Sequence, residues 1–188
     1  SNNVKSDVVA YDYSGYGLND IDKFERTPEG INLTLLTVFN HLTTELGYQP
    51  QKIVFWGYSL GSGPSTHMTS LLCKQKCQPA GLVLFGAYSS ILDVVKENTS
   101  EDISKWFTER WDNKTMIAEV KCPILILHGQ SDGLIKSSHA DVLASRNPKA
   151  KKVLLPNTGH TKFHWGESVK EVKKWLSENQ IFSENQIQ

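Results

Sequence analysis

The sequence predicts an α/β protein in which helices cover both faces of a mostly parallel sheet. Short, continuously apolar segments alternate along the 188 residues with segments whose apolar positions recur at a period near 3.6. The apolar segments also lack the alternating polar residues that are typical of a sheet exposed on one face. A chain of this length and pattern is expected to form a single domain of the α/β class.

The first two predicted elements are a strand and an amphipathic helix. Residues 4–11 contain the β-branched pair Val8-Val9, and the glycines that follow are typical of a turn after a strand. Between Pro28 and Gly47, apolar residues recur with helical spacing. This pattern predicts a helix that ends at Gly47.

The middle and the second half of the chain repeat the order strand, turn, helix. Residues 53–56 are all apolar, and the small residues from 61 to 65 lead into a helix that reaches Leu72. Further apolar runs indicate three more strands, and two amphipathic stretches indicate two more helices. The strands are at 82–85, 124–127 and 153–155, and the helices lie around 140–144 and 169–176.

One region, residues 88–120, departs from this alternation. Trp106, Phe107 and Trp111 have helical spacing among polar residues, which indicates a small helical insertion above the sheet. Two interpretations of these aromatic residues stay open: core packing, or contact with an apolar substrate group, for which Trp106, Trp111 and also Tyr58 are candidates. We predict one domain over residues 1–180, followed by a polar tail at 181–188.

Composition argues against several classes of partner. Twenty Lys and Arg residues balance twenty Asp and Glu residues, so the basic surface that nucleic acid requires is not expected. The apolar segments are far shorter than the roughly 20 residues that span a bilayer, so no transmembrane segment is predicted. Three sparse cysteines favour a reducing compartment, and Cys73 with Cys77 lacks a nearby His or Cys pair, so no metal site is predicted.

The segment Gly57-Tyr58-Ser59-Leu60-Gly61 matches Gly-x-Ser-x-Gly between a predicted strand and a predicted helix. In that context the serine lies on a tight turn that pushes its hydroxyl above the sheet, and the glycines let the neighbouring backbone pass close. Ser59 is therefore the predicted nucleophile. The backbone N–H of Leu60 lies at the helix start, where unpaired donors can stabilise a developing oxyanion.

A serine nucleophile needs a general base and an acid that orients this base. A serine on such a tight strand-to-helix turn is called a nucleophile elbow. After a nucleophile elbow, the acid and then the histidine follow in chain order. Asp132 follows a predicted strand, in a loop where parallel sheets place their ligands, and is the favoured acid; Asp93 is the second candidate. His160 directly follows Gly159 and is favoured as the base over His164, which lies between two aromatic residues.

Four segments in this order resemble the α/β-hydrolase superfamily across nearly the whole chain. They are Tyr11-Asp12-Tyr13-Ser14-Gly15-Tyr16-Gly17, the Ser59 pentapeptide, Pro123 to Gly129 with Asp132, and Gly159-His160. The chain is most similar to the membrane-associated serine hydrolases that remove palmitate from protein cysteines. The resemblance implies an α/β-hydrolase-type sheet and hydrolysis of an acyl ester or thioester, on a small molecule or an acylated protein, without a cofactor. It assigns this chemistry to Ser59, Asp132 and His160.

The family also has a His-Gly loop after its third strand that supplies a second oxyanion donor, and nothing before Val4 corresponds to it. We therefore expect these residues to be the carboxyl part of a longer hydrolase, with the first strands of the sheet lying outside it. An alternative is a catalytically weak or inactive member that kept the fold as a binding or scaffold protein. A cytoplasmic or peripheral-membrane location is favoured, and the oligomeric state stays open.

Overall fold

The computed structural model describes residues 6–19, 26–99, 110–162 and 164–182. In this part of the chain, four strands form one sheet in sequence order, and each neighbouring pair runs parallel. The predicted α/β class with a mostly parallel sheet is confirmed. The strands are β1 (Val54–Tyr58), β2 (Gly81–Phe85), β3 (Ile124–Gly129) and β4 (Ala150–Leu155).

Helices connect the strands and cover the sheet. The first begins after Thr27, whose side chain accepts a hydrogen bond from the N–H of Gly30, and it continues as one π-helical turn over His41–Glu45. Gly47 ends it with a φ of 72°, a conformation that favours glycine. The helices are α1 (Pro28–Asn40), α2 (Ser62–Lys74), α3 (Ile91–Asn98), α4 (Asn113–Met116), α5 (Ser138–Arg146) and α6 (Trp165–Glu178).

The central strands β2 and β3 are buried at every position because both of their faces are covered. In β2, Leu82 and Leu84 pack into one core, whereas Val83 and Phe85 pack into a second core on the other side of the sheet. The first core includes buried side chains of α1, α2 and α5, and the second includes Trp175 of α6. A sheet with helices on both faces needs apolar residues at consecutive positions, as the sequence pattern predicted.

The strand predicted over residues 4–11 is not observed. Residues 6–11 are described and carry no strand, and residues 4 and 5 lie outside the described part. Val8 is 86% exposed and Val9 is 52% exposed, so these β-branched side chains have no sheet face to cover. A strand also requires a hydrogen-bonded neighbour, and along the described chain β1 pairs with β2 alone.

The region 88–120 contains helices where it is described. Helices α3 and α4 lie in it, and residues 100–109, including Trp106 and Phe107, are outside the described part. The predicted polar tail starts too early, because Ile181 and Phe182 pack against the second core. These two apolar side chains cover Trp175 and its neighbours, which places them with the domain.

The sheet brings three distant loops to one edge. Parallel strands have their carboxyl ends on the same side, and the loops after β1, β3 and β4 carry Ser59, Asp132 and His160. This is the edge at which parallel α/β sheets bind ligands.

Candidate active site

A strained turn presents Ser59 at the end of β1. Its φ is 49°, in the left-handed region, where a non-glycine residue is strained by roughly 1 to 3 kcal/mol. A Cβ atom at Gly57 would lie 2.5 Å from the carbonyl oxygen of Gly61, and one at Gly61 would lie 3.2 Å from the hydroxyl of Tyr13. The first position therefore excludes any side chain and the second leaves little room for one, which explains the Gly-x-Ser-x-Gly pattern.

Three side chains from separate loops form a continuous hydrogen-bonded chain. The Nε2 atom of His160 lies 2.9 Å from Oγ of Ser59, and its Nδ1 atom lies 2.8 Å from Oδ2 of Asp132. Because a carboxylate only accepts hydrogen bonds, Nδ1 carries the imidazole proton, and this N–H donates a hydrogen bond to Asp132. Nε2 is then free to accept the hydroxyl proton of Ser59.

Asp132 is fixed by its own loop. Its other oxygen, Oδ1, accepts the backbone N–H groups of Leu134 at 3.0 Å and Ile135 at 2.9 Å. The carboxylate has no solvent exposure, so these donors and His160 replace the water that would otherwise surround it. The loop after β3 therefore determines which oxygen of the carboxylate faces the histidine.

His128 is a neutral, buried neighbour of this carboxylate. Its Nε2–H donates to the carbonyl oxygen of Ile135 at 2.8 Å and lies 3.6 Å from Oδ2 of Asp132, too far for a second hydrogen bond. Burial lowers the pKa of His128 and outweighs the opposing effects of Ile135 and Asp132. His128 thus supports the loop as a buried, hydrogen-bonded ring without a charge.

Tyr58 and Trp111, both predicted as substrate contacts, have different surroundings. The hydroxyl of Tyr58 donates to the carbonyl oxygen of His160, and its ring stacks on the imidazole. Trp111 is only 3% exposed; it packs against Gly63 and Tyr88 beneath the elbow helix. Substrate contact by Trp111 finds no support in this packing. Trp106 lies outside the described residues.

Asn113 belongs to the elbow although the sequence analysis did not select it. Its amide donates to Oγ of Ser62 at 3.2 Å and to the carbonyl oxygen of Tyr88 at 3.0 Å. Ser62 in turn donates to the carbonyl oxygen of Ser59 at 2.7 Å. The Asn113 side chain is fully buried, and it connects α4 to the strained turn. No local pattern identifies it, because its partners lie 51 and 25 positions away.

Two partly exposed leucines are close to catalytic candidates along the chain: Leu60 follows Ser59, and Leu134 is two residues after Asp132. Leu60 lies in the 3-10 turn Ser59–Gly61 that leads into α2; it is 40% exposed, and its carbonyl oxygen accepts a hydrogen bond from the hydroxyl of Tyr88 at 3.4 Å. Leu134, beside Asp132, is 52% exposed. Both leucines lie on loops that carry the site, so the approach to Ser59 is partly apolar.

The second candidates for acid and base lie elsewhere. Asp93 accepts hydrogen bonds from Oγ of Ser89 at 2.6 Å and from Nζ of Lys114 at 2.8 Å. Burial by itself would raise the pKa of Asp93, but these hydrogen bonds and the lysine charge outweigh it and lower the pKa. His164 is exposed at the start of α6. The structure therefore brings Asp132 and His160, and neither alternative, to Ser59.

Within the described ranges, no group of three His, Cys, Asp or Glu side chains is arranged to hold a metal ion. Over the same residues, no helix combines the length and apolar character that crossing a membrane requires.

Sequence comparison finds α/β hydrolases. The protein aho-3 of Caenorhabditis elegans, an alpha/beta hydrolase domain-containing protein, is 29% identical over 158 residues, which are 84% of this chain and 44% of that protein. An alpha/beta hydrolase of Acanthamoeba polyphaga mimivirus is 32% identical over 81% of this chain and 55% of its own. A lysophosphatidylserine lipase of Macaca fascicularis is 27% identical over 68% of this chain and 34% of its own length. The chain therefore spans about half of these relatives or less. No model of a protein family matches it.

Solved structures share the fold. An alpha-beta hydrolase from Vibrio vulnificus superposes with a TM-score of 0.67 at 18% identity, covering 80% of this chain and 57% of that one. A thermophilic esterase from Thermogutta terrifontis gives 0.65 at 18% identity, covering 89% and 78%. These likenesses show the fold alone. The named sequence relatives indicate that the chain is a member of the α/β-hydrolase superfamily, in agreement with this fold.

Proposed function

We propose that this chain is a serine hydrolase that cleaves an acyl ester or thioester through an acyl-serine intermediate. The observation that carries the proposal is the hydrogen-bonded chain from Ser59 through His160 to Asp132, with distances of 2.9 and 2.8 Å. A serine hydroxyl is a weak nucleophile, and this arrangement supplies the base and the orienting acid that it needs. No cofactor is required for this chemistry.

The geometry supports the following acylation step. Oγ of Ser59 attacks the acyl carbonyl carbon while Nε2 of His160 takes its proton, and Asp132 stabilises the resulting imidazolium through Nδ1–H. The backbone N–H of Leu60 donates to the oxygen that becomes negative. His160 then returns the proton to the leaving group, which departs as an alcohol or thiol.

An apolar acyl group fits the surroundings of Ser59. Leu60 follows Ser59, Leu134 is in the loop of Asp132 and Tyr58 stacks on His160, and all three are partly exposed, so they offer apolar surface at the site. A relative of this chain is a lysophosphatidylserine lipase, and the sequence resembles the hydrolases that remove palmitate from protein cysteines. We therefore propose that the substrate is an ester or thioester of a long-chain acyl group, and that this acyl group is attached to a lipid or to a protein.

The chain is further proposed to be the carboxyl part of a longer hydrolase. The matched residues make up only 44% and 55% of two curated relatives, and along the described chain β1 has a strand on one edge only. A groove of about 900 Å³ follows the other edge and is lined by apolar residues that include Phe55 and Trp56. Upstream residues would supply a pairing strand there and the second oxyanion donor, so activity is best measured on the full-length native protein.

A fluorophosphonate probe tests the proposed function. It should label the full-length protein, and Ser59→Ala should abolish labelling, whereas Ser70→Ala in α2, the helix that follows Ser59, should not. Hydrolysis of p-nitrophenyl esters should rise with acyl chain length if the leucine-lined surface binds the acyl group. Equal labelling of wild type and Ser59→Ala would contradict the proposal. Failure of the wild type to react with the probe or any ester would instead favour a binding or scaffold protein.

A further inference from the structure

Tyr58 contacts His160 in two ways. Its hydroxyl donates to the carbonyl oxygen of His160 at 2.7 Å, and its ring stacks on the imidazole with centroids 5.4 Å apart and 29° between the planes. The ring also meets Phe85, its register partner in β2, edge-on at 6.1 Å and 67°. The tyrosine therefore links the histidine loop to the rigid end of the sheet.

The contacts that Tyr58 makes with His160 involve other parts of the residue than the imidazole nitrogens. Asp132 and Ser59 hold the side chain of His160, whereas Tyr58 holds its backbone and one face of its ring. The histidine loop follows Gly159 and is partly exposed, so its position depends on such contacts. An aromatic face also attracts a neighbouring cation, which favours the imidazolium that forms in each half of the reaction.

The importance of Tyr58 changes during the proposed reaction. In the free protein, His160 is held at both ring nitrogens. Once Oγ of Ser59 is esterified, it has no proton to donate, and His160 loses that bond. Asp132 at Nδ1 and Tyr58 at the carbonyl and the ring are then left to keep Nε2 aimed at the incoming water.

We propose that Tyr58 is a positioning residue for His160 that acts mainly in deacylation; this rests on the proposed serine-hydrolase function. In that step Nε2 of His160 takes one proton from water as the water oxygen bonds to the acyl carbon. The bond between the acyl carbon and Oγ then breaks, the carboxylic acid leaves, and Oγ of Ser59 regains the proton from Nε2.

The test compares Tyr58→Phe with Tyr48→Phe in stopped-flow hydrolysis of p-nitrophenyl butyrate by the full-length protein. The two tyrosines are matched: each is 39% exposed, and the hydroxyl of Tyr48 donates to Asp7 at 2.5 Å, away from the site. Loss of one hydrogen bond should slow deacylation roughly fivefold in Tyr58→Phe. Acylation should change less, so that kcat and KM fall together and acyl-enzyme accumulates. Tyr48→Phe should match wild type.

Two results would overturn the inference: deacylation as fast in Tyr58→Phe as in wild type, or acylation and deacylation slowed by the same factor. A wild type that forms no acyl-serine would defeat the proposed function itself, which is a separate outcome. A readout besides activity is the low-field NMR signal of the Nδ1 proton that His160 shares with Asp132. It should exchange with water faster in Tyr58→Phe than in wild type or Tyr48→Phe, and an unchanged exchange rate would count against positioning.

Discussion

Replacing Asp132 with asparagine should leave the fold intact and invert the proton arrangement of His160. Oδ1 of Asp132 accepts two backbone N–H groups, from Leu134 and Ile135. In Asp132→Asn, the amide oxygen must stay at that position, which turns the NH₂ group toward Nδ1 of His160. Nδ1 then accepts, Nε2 carries the proton, and the imidazole no longer accepts the proton of Ser59.

The size of the effect follows from those two donors. Restoring the active tautomer requires a flip of the amide, which leaves both buried N–H groups unpaired at roughly 1 to 3 kcal/mol each. The combined cost of roughly 2 to 6 kcal/mol corresponds to a rate loss of about 30-fold to more than 10⁴-fold. Loss of the carboxylate charge opposite the imidazolium adds to it, so we expect kcat to fall by about 10³ to 10⁴.

The assay is kcat for a p-nitrophenyl ester, measured beside thermal unfolding. Asp93→Asn is the matched control, because it alters the other candidate acid and weakens a partly exposed ion pair with Lys114 that is worth at most about 1 kcal/mol. We expect near-wild-type kcat in Asp93→Asn and near-wild-type unfolding in Asp132→Asn. The reasoning would be refuted if Asp132→Asn kept more than about a tenth of the activity, or if Asp93→Asn lost as much.

Three further outcomes are expected. Gly57→Ala should lower the unfolding temperature sharply because its Cβ atom would lie 2.5 Å from backbone, whereas Gly166→Ala in α6 meets nothing within 4 Å and should be neutral or stabilising. Asn113→Ala and Asn147→Ala each remove a buried NH₂ group that donates to two acceptors, so both should lose roughly 1 to 3 kcal/mol in urea unfolding, but only Asn113→Ala should slow probe labelling. Burial lowers the pKa of His67 in the folded protein. Below the unfolded value of about 6.5 the unfolded state therefore binds more protons, and the folded state loses stability as the pH decreases. His67→Gln should flatten that fall below about pH 6.5, measured as urea midpoints.

The strands and helices could be predicted where local pattern and burial agree. The apolar runs at 82–85 and 124–127 became β2 and β3 because residues buried on both faces leave no polar position. The prediction was wrong for residues 6–11, whose strand-like Val8-Val9 pair stays exposed. A strand exists only when another strand accepts its hydrogen bonds, and no local residue pattern reveals that neighbour.

The elbow is the part of the site that the sequence determined, because its requirements are local: glycines at 57 and 61 and a serine between a strand and a helix. The choice of Asp132 over Asp93, the two contacts of Tyr58 and the anchoring by Asn113 were decided by the tertiary structure. Steric limits act between residues that are close together in the chain, and they can therefore be predicted from the sequence. Hydrogen bonds between loops that lie 28 to 102 positions apart depend on how the sheet aligns its strand ends.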